Sequence, residues 1–101
     1  EKAYDATAKS DLRNLMTAQE GHFANFGQYG NTISTNSSSS NTVEFSPSSG
    51  VGVGNIGITR QDGGYVASAQ HTSSGNCFGV TVGDTTGGSS NGEVVQGGGD
   101  C

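Results

Sequence analysis

Basic residues are scarce in this chain: Lys2, Lys9, Arg13 and Arg60 stand against nine acidic residues, leaving a formal charge of −5. Beyond Arg13 only Arg60 is basic, so most of the surface offers no positive stripe for phosphates. Direct binding of nucleic acid or of an anionic membrane by this surface is therefore not expected. Tryptophan is missing and apolar residues make up only 30% of 101 positions, which leaves one small domain with a thin core. No apolar run reaches the length of a signal peptide or a membrane span.

Cysteine is limited to Cys77 and Cys101. With no Cys-x-x-Cys pair and no Cys/His cluster, zinc binding and thioredoxin-type chemistry are poorly supported. The two cysteines read as a disulfide formed in an oxidising compartment, with two free buried thiols as the alternative. Closing a loop of this length is worth about 3.5 kcal/mol in the chain-entropy picture. That matches one or two large buried apolar side chains at about 1.5–3 kcal/mol each.

Catalytic patterns are missing as well. Fourteen serines accompany His22 and His71, yet no G-x-S-x-G elbow occurs. The glycine-rich stretches "GGSSNGE" and "GGGDC" lack the lysine and the strand–helix setting of a phosphate loop. Asp84, Asn91 and Glu93 are oxygen donors within one segment, but without EF-hand spacing. The expectation is a protein without catalytic residues, metal or cofactor, with a hydrolase as a remote third class.

What is abundant is Gly, Ser, Thr and Asn, about half of the chain, with charged residues at only 13%. Such a composition favours turns and β-structure without the self-repulsion that keeps disordered chains open. The first 27 residues differ. Tyr4, Ala8, Leu12, Leu15, Met16, Phe23 and Phe26 fall within an arc of roughly 120° on a helical wheel, the stripe a helix needs to lie on a sheet. Gly27 follows as a natural stop. On the opposite side Ala3, Ala6, Ser10, Thr17, Gly21 and Ala24 are all small, a face suited to close approach by another subunit.

Residues 28–41 read as a polar loop that buries nothing, with "NTISTNSSSSNT" open to O-linked sugar and Asn36-Ser37-Ser38 matching an N-glycosylation triplet. From residue 42 the period becomes two. "TVEFS" alternates ahead of Pro47; "VGVGNIGIT" alternates with a slip near Gly54–Asn55. Asp62-Gly63 sits between two alternating runs as a hairpin signal. "CFGVTV" and "EVVQ" supply further strands. The expected fold is α+β: one long amphipathic helix on an antiparallel sheet of three to five strands spanning 42–82, then a disulfide-closed region, 77–101.

The run "KAYDATAKSDLRNLMTAQEGHFANFGQY" resembles the second half of the long N-terminal helix of type IV pilins. The matching positions are Lys2, Ala3, Tyr4, Ala8, Ser10, Asp11, Leu12, Arg13 and Asn14, then Phe23, Ala24, Gly27 and Tyr29. "GGYVASAQHTSSGNCFGVTV" is similar to middle strands of that family. The resemblance implies that Cys77 and Cys101 close the outward-facing region pilins carry at their C-terminus. It also implies a preceding apolar segment, so that Glu1 stood mid-helix in a longer parent and needed no cap. Membrane contact would come only through that absent segment. The implied role is a structural subunit of a cell-surface, extracellular pilus, with other pilin subunits as partners, serving adhesion, motility or DNA uptake. A pseudopilin of a secretion or competence apparatus and a minor tip-located adhesin are the alternatives.

Overall fold

The computed structural model describes residues 2–61, 63–83 and 91–101. Helix α1, Lys2–Phe26, runs 25 residues without a break. It ends where expected: Gly27 takes a left-handed φ of 75°, and its N–H still donates to Phe23 O at 2.8 Å. Glycine meets that φ without the steric penalty of a Cβ.

Four strands form the antiparallel sheet in the order β3-β4-β5-β6: β3 (Ile56–Gln61), β4 (Gly64–Ala69), β5 (Phe78–Val82) and β6 (Val95–Gln96). The β3–β4 hairpin closes on Gln61 opposite Gly64, around the Asp-Gly signal, although Asp62 itself lies outside the described residues. Tyr65, Ala67 and Ala69 alternate on one face of β4 and are fully buried there. Two alanines in that row let the helix settle close to the sheet. It lies over β4 and β5, with Ala8, Leu12 and Leu15 inserted into a core shared with Phe78 and Val80.

The segment before the sheet departs from expectation. Residues 28–41 are not a loop that buries nothing: β1 (Thr32–Ser34) lies within them and pairs in parallel with β2 (Thr42–Glu44). The strand read in "TVEFS" thus belongs to a separate two-stranded sheet rather than to the antiparallel layer. Val51 and Val53 do not extend β3 either. A 3₁₀ turn at Val53–Asn55 interrupts the alternation at the slip, so that Val51 turns into the core while Val53 stays exposed. Val43, Phe45 and Val51 fill the core under α1 from this side.

The sheet's other face is covered by the C-terminal tail, tied by the Cys77–Cys101 disulfide with a Cα–Cα distance of 6.0 Å. Asp100 N–H donates to Ala67 O and Thr59 Oγ1 donates to Asp100 Oδ1. Gly79 makes this approach possible, because a Cβ there would stand 1.9 Å from Gly98 O. Helix, sheet and tail are three layers, and among the described residues no helix is long and apolar enough to cross a membrane.

Candidate interaction surface

The helix stripe is buried only in its middle. Ala8, Leu12 and Leu15 are fully inaccessible and Met16 packs half-buried against them. Tyr4, Phe23 and Phe26, expected to pack on the sheet, instead remain 42%, 42% and 41% exposed. The reason is length. At 1.5 Å per residue α1 spans about 37 Å, whereas a six-residue strand covers about 20 Å and four strands about 14 Å across. The ends of the helix overhang. Tyr4 stacks on His71 with ring centroids 4.3 Å apart, Phe23 leans on Tyr29 at 4.8 Å, and Phe26 covers His22 at 4.6 Å.

Three polar residues complete the buried stripe, and the sequence reading passed over them. Asp11, Gln19 and His22 are each at most 5% exposed. Asp11 Oδ2 accepts from Ser48 N–H and Oδ1 from the Ser48 hydroxyl, both at 2.8 Å. Gln19 exchanges two hydrogen bonds with the backbone of Gly30. The ring nitrogens of His22 contact the carbonyl oxygens of Gln28 at 2.7 Å and Ser39 at 2.6 Å. These side chains supply the partners that the polar segment 28–48 cannot provide for its own backbone. The available signal was position: all three lie on the same helical arc as Leu12 and Leu15.

Near its start the helix is pinned to the loop before β5. The Ser74 hydroxyl donates to Asp5 Oδ1 at 2.6 Å and Asn76 Nδ2 to Oδ2 at 2.9 Å. These two donors hold the Asp5 carboxyl below the usual carboxylate range, the Ser74 hydroxyl contributing most. Burial pushes the Tyr29 and Tyr65 hydroxyls up; for Tyr29 the adjoining Glu20 carboxylate adds to it.

The opposite face of α1 is free. Ala3, Ala6, Ser10, Thr17, Gly21 and Ala24 are all exposed. The Thr17 hydroxyl turns back to Arg13 O at 3.3 Å, and no heavy atom outside the helix comes within 4 Å of a Cβ built on Gly21. The result is a face of small side chains on the opposite side of the helix from Tyr4, Phe23 and Phe26.

A shallow cavity of about 300 Å³ lies where α1 ends beside the β3–β4 hairpin, lined by Phe23, Tyr29, Arg60 and Gln61 among others. His71 accepts from Ser73 N–H through Nδ1 and stacks on Tyr4. Of the oxygen donors considered for calcium, Asp84 lies outside the described residues and Asn91 Oδ1 accepts from Gly83 N–H. Among the described residues no group of three His, Cys, Asp or Glu side chains converges to hold a metal. Asn36, the possible sugar acceptor, sits exposed after β1 with its Oδ1 bonded to the Ser34 hydroxyl. Compared with known protein families, curated proteins and solved structures, the chain has no match.

Proposed function

We propose that this chain is the head domain of a pilin-like structural subunit that works by filament assembly. One observation supports the reading most: a 25-residue helix buries a single stripe and leaves its small-residue face bare along the full length. A helix that served only its own sheet would have no use for overhanging ends with exposed Tyr4, Phe23 and Phe26. In a filament, those rings and the face carrying Ala3, Ala6, Ser10, Thr17, Gly21 and Ala24 contact neighbouring subunits. The tail closed by Cys77 and Cys101 lies on the far side of the sheet and faces outward. On this reading the protein is extracellular, part of a cell-surface pilus, and its partners are further copies of itself. It acts in adhesion, motility or DNA uptake, through the filament rather than through an active site.

The test is assembly. The full coding sequence is expressed in a pilus-forming host that lacks its own major pilin, and surface filaments are sought by electron microscopy. Ala6→Cys combined with Ala24→Cys reports the contact, since oxidation then links neighbouring subunits through the helix face. Filaments with those cross-links are the expected result. A folded, exported protein that forms neither sinks the proposal.

Two other assignments differ in observable ways. A pseudopilin role predicts stabilisation by Ca²⁺ that a chelator removes, read by calorimetry. A minor, tip-located adhesin predicts incorporation at filament ends alone, visible by immunogold labelling.

A further inference from the structure

Arg60 is the only basic residue after Arg13, and the fold places it at the cavity between the end of α1 and the β3–β4 hairpin. Its position is fixed from three sides by neutral groups. Nη1 donates to Tyr29 O at 3.3 Å and to Asn41 Oδ1 at 2.9 Å, and its backbone N–H donates to Asn31 Oδ1 at 3.1 Å. A guanidinium has five N–H donors; those on Nε and Nη2 have no acceptor among the described residues. Its hydrogen-bond partners among the described residues are all neutral, so they hold the charge in place without neutralising it.

The walls beside it are aromatic. Phe23 is 42% exposed and sits 4.8 Å from the Tyr29 ring. Tyr29 is locked in turn: its hydroxyl donates to Glu20 Oε2 at 2.9 Å and its ring meets Tyr65 edge-on at 4.8 Å. Gln28 and Gln61 add side-chain amides to the lining. Gln28 spends its NH₂ on Ser40 O and Asn41 Oδ1, which leaves its carbonyl oxygen as an acceptor.

We infer that this cavity binds a carboxylate-bearing sugar ring. The carboxylate meets the open fork of Arg60, the geometry guanidinium recognises best. The apolar face of the ring lies against Phe23 or Tyr29, and ring hydroxyls reach the Gln28 carbonyl and the Gln61 amide. A volume of about 300 Å³ takes one substituted ring, the lower end of small-ligand sites. A bare anion has no use for the aromatic walls, and a neutral sugar leaves the cation unpaired. An acidic peptide lacks the flat apolar face.

The inference does not rest on the filament reading, in which Phe23 faces a neighbouring subunit, so the experiment uses the unassembled chain. Isotope-labelled protein is titrated with glucuronic acid and with N-acetylneuraminic acid, with glucose, acetate and a glutamate-rich peptide in parallel, followed by amide shifts. Saturable shifts confined to Phe23, Gln28, Tyr29, Arg60 and Gln61, produced by either acidic sugar, are expected. Arg60→Gln weakens binding about tenfold or more, as loss of a charge-assisted pair does. Phe23→Ala, at an exposed position that does not hold the fold, weakens it several-fold. Glucose binding as well as the acids, acetate binding as well as the sugars, or tighter binding of the peptide each overturns the assignment. So does undiminished binding by Phe23→Ala.

Discussion

Gln19 and Gly30 exchange two hydrogen bonds: Gln19 Nε2 donates to Gly30 O at 3.0 Å, and Gly30 N–H donates to Gln19 Oε1 at 2.8 Å. A primary amide has the donor and acceptor of a peptide group at similar spacing. The Gln19 side chain thus acts as a one-residue strand, meeting the backbone just before β1, where Gly30 packs against Val43 of β2. Both residues are buried, so neither bond has water as a substitute. Gln19→Leu leaves a donor and an acceptor without partners at about 1–3 kcal/mol each. The expected loss is about 2–4 kcal/mol in urea unfolding, with faster amide exchange across residues 28–41. A loss below about 0.5 kcal/mol means that the loop is held by other contacts.

The Tyr65 hydroxyl offers the opposite case. Its side chain is fully inaccessible, and the oxygen has no hydrogen-bond partner among the described residues. Tyr65→Phe removes an unpaid desolvation cost while keeping the ring against Tyr29. Thermal unfolding of that variant is expected to match or exceed the parent by up to about 1 kcal/mol. Tyr65→Ala, which empties the site, costs about 3–5 kcal/mol. A strongly destabilised Tyr65→Phe reveals a hidden partner for the oxygen.

Asp5 gives the fold an acid-sensitive attachment. Its folded-state carboxyl is depressed below 3.8 by the Ser74 hydroxyl first and the Asn76 amide second. A depressed folded value means that the stabilisation is present above the unfolded pKa and is lost as pH falls through the folded one. Asp5→Asn is therefore expected to melt below the parent at pH near 6, with the difference shrinking as the solution is made more acid than pH 3.8. Melting curves across that range check it. A gap that stays constant with pH assigns the effect to the lost hydrogen bonds alone.

Gly79 and Gly21 separate close packing from open surface. A Cβ on Gly79 would stand 1.9 Å from Gly98 O, a backbone atom that cannot swing aside. Gly79→Ala is expected to lift the tail from the sheet, exposing the disulfide to faster reduction. The same change at Gly21 meets nothing within 4 Å, and an alanine in a helix interior is better than glycine by about 0.5–1 kcal/mol. Gly21→Ala is thus expected to raise the stability of the fold, read by urea unfolding. If the helix face packs in a filament, it also lowers filament yield.

Much of this architecture was legible in the sequence because it is local. The period of 3.6 from Ala8 to Leu15 and the stop at Gly27 needed only neighbouring residues to be read. So did the alternation of Phe78, Val80 and Val82 and the hairpin that pairs Gln61 with Gly64. The ends of the stripe were misread, since periodicity reports which way a side chain points, not whether a sheet extends far enough to meet it. That is why Tyr4, Phe23 and Phe26 emerged as overhanging rings.

By itself, then, the sequence determined the long helix, its central buried face, the hairpin strands and the means to staple the C-terminus, all set by backbone preference and side-chain period. Only the tertiary structure decided that β1 and β2 pair in parallel, and that Asp11 and Gln19 hold backbone 37 and 11 residues away. It alone brought Arg60 beside Phe23 and Tyr29. The physical reason is that a polar group's burial depends on a partner distant in the chain, and no local pattern records where that partner comes to lie.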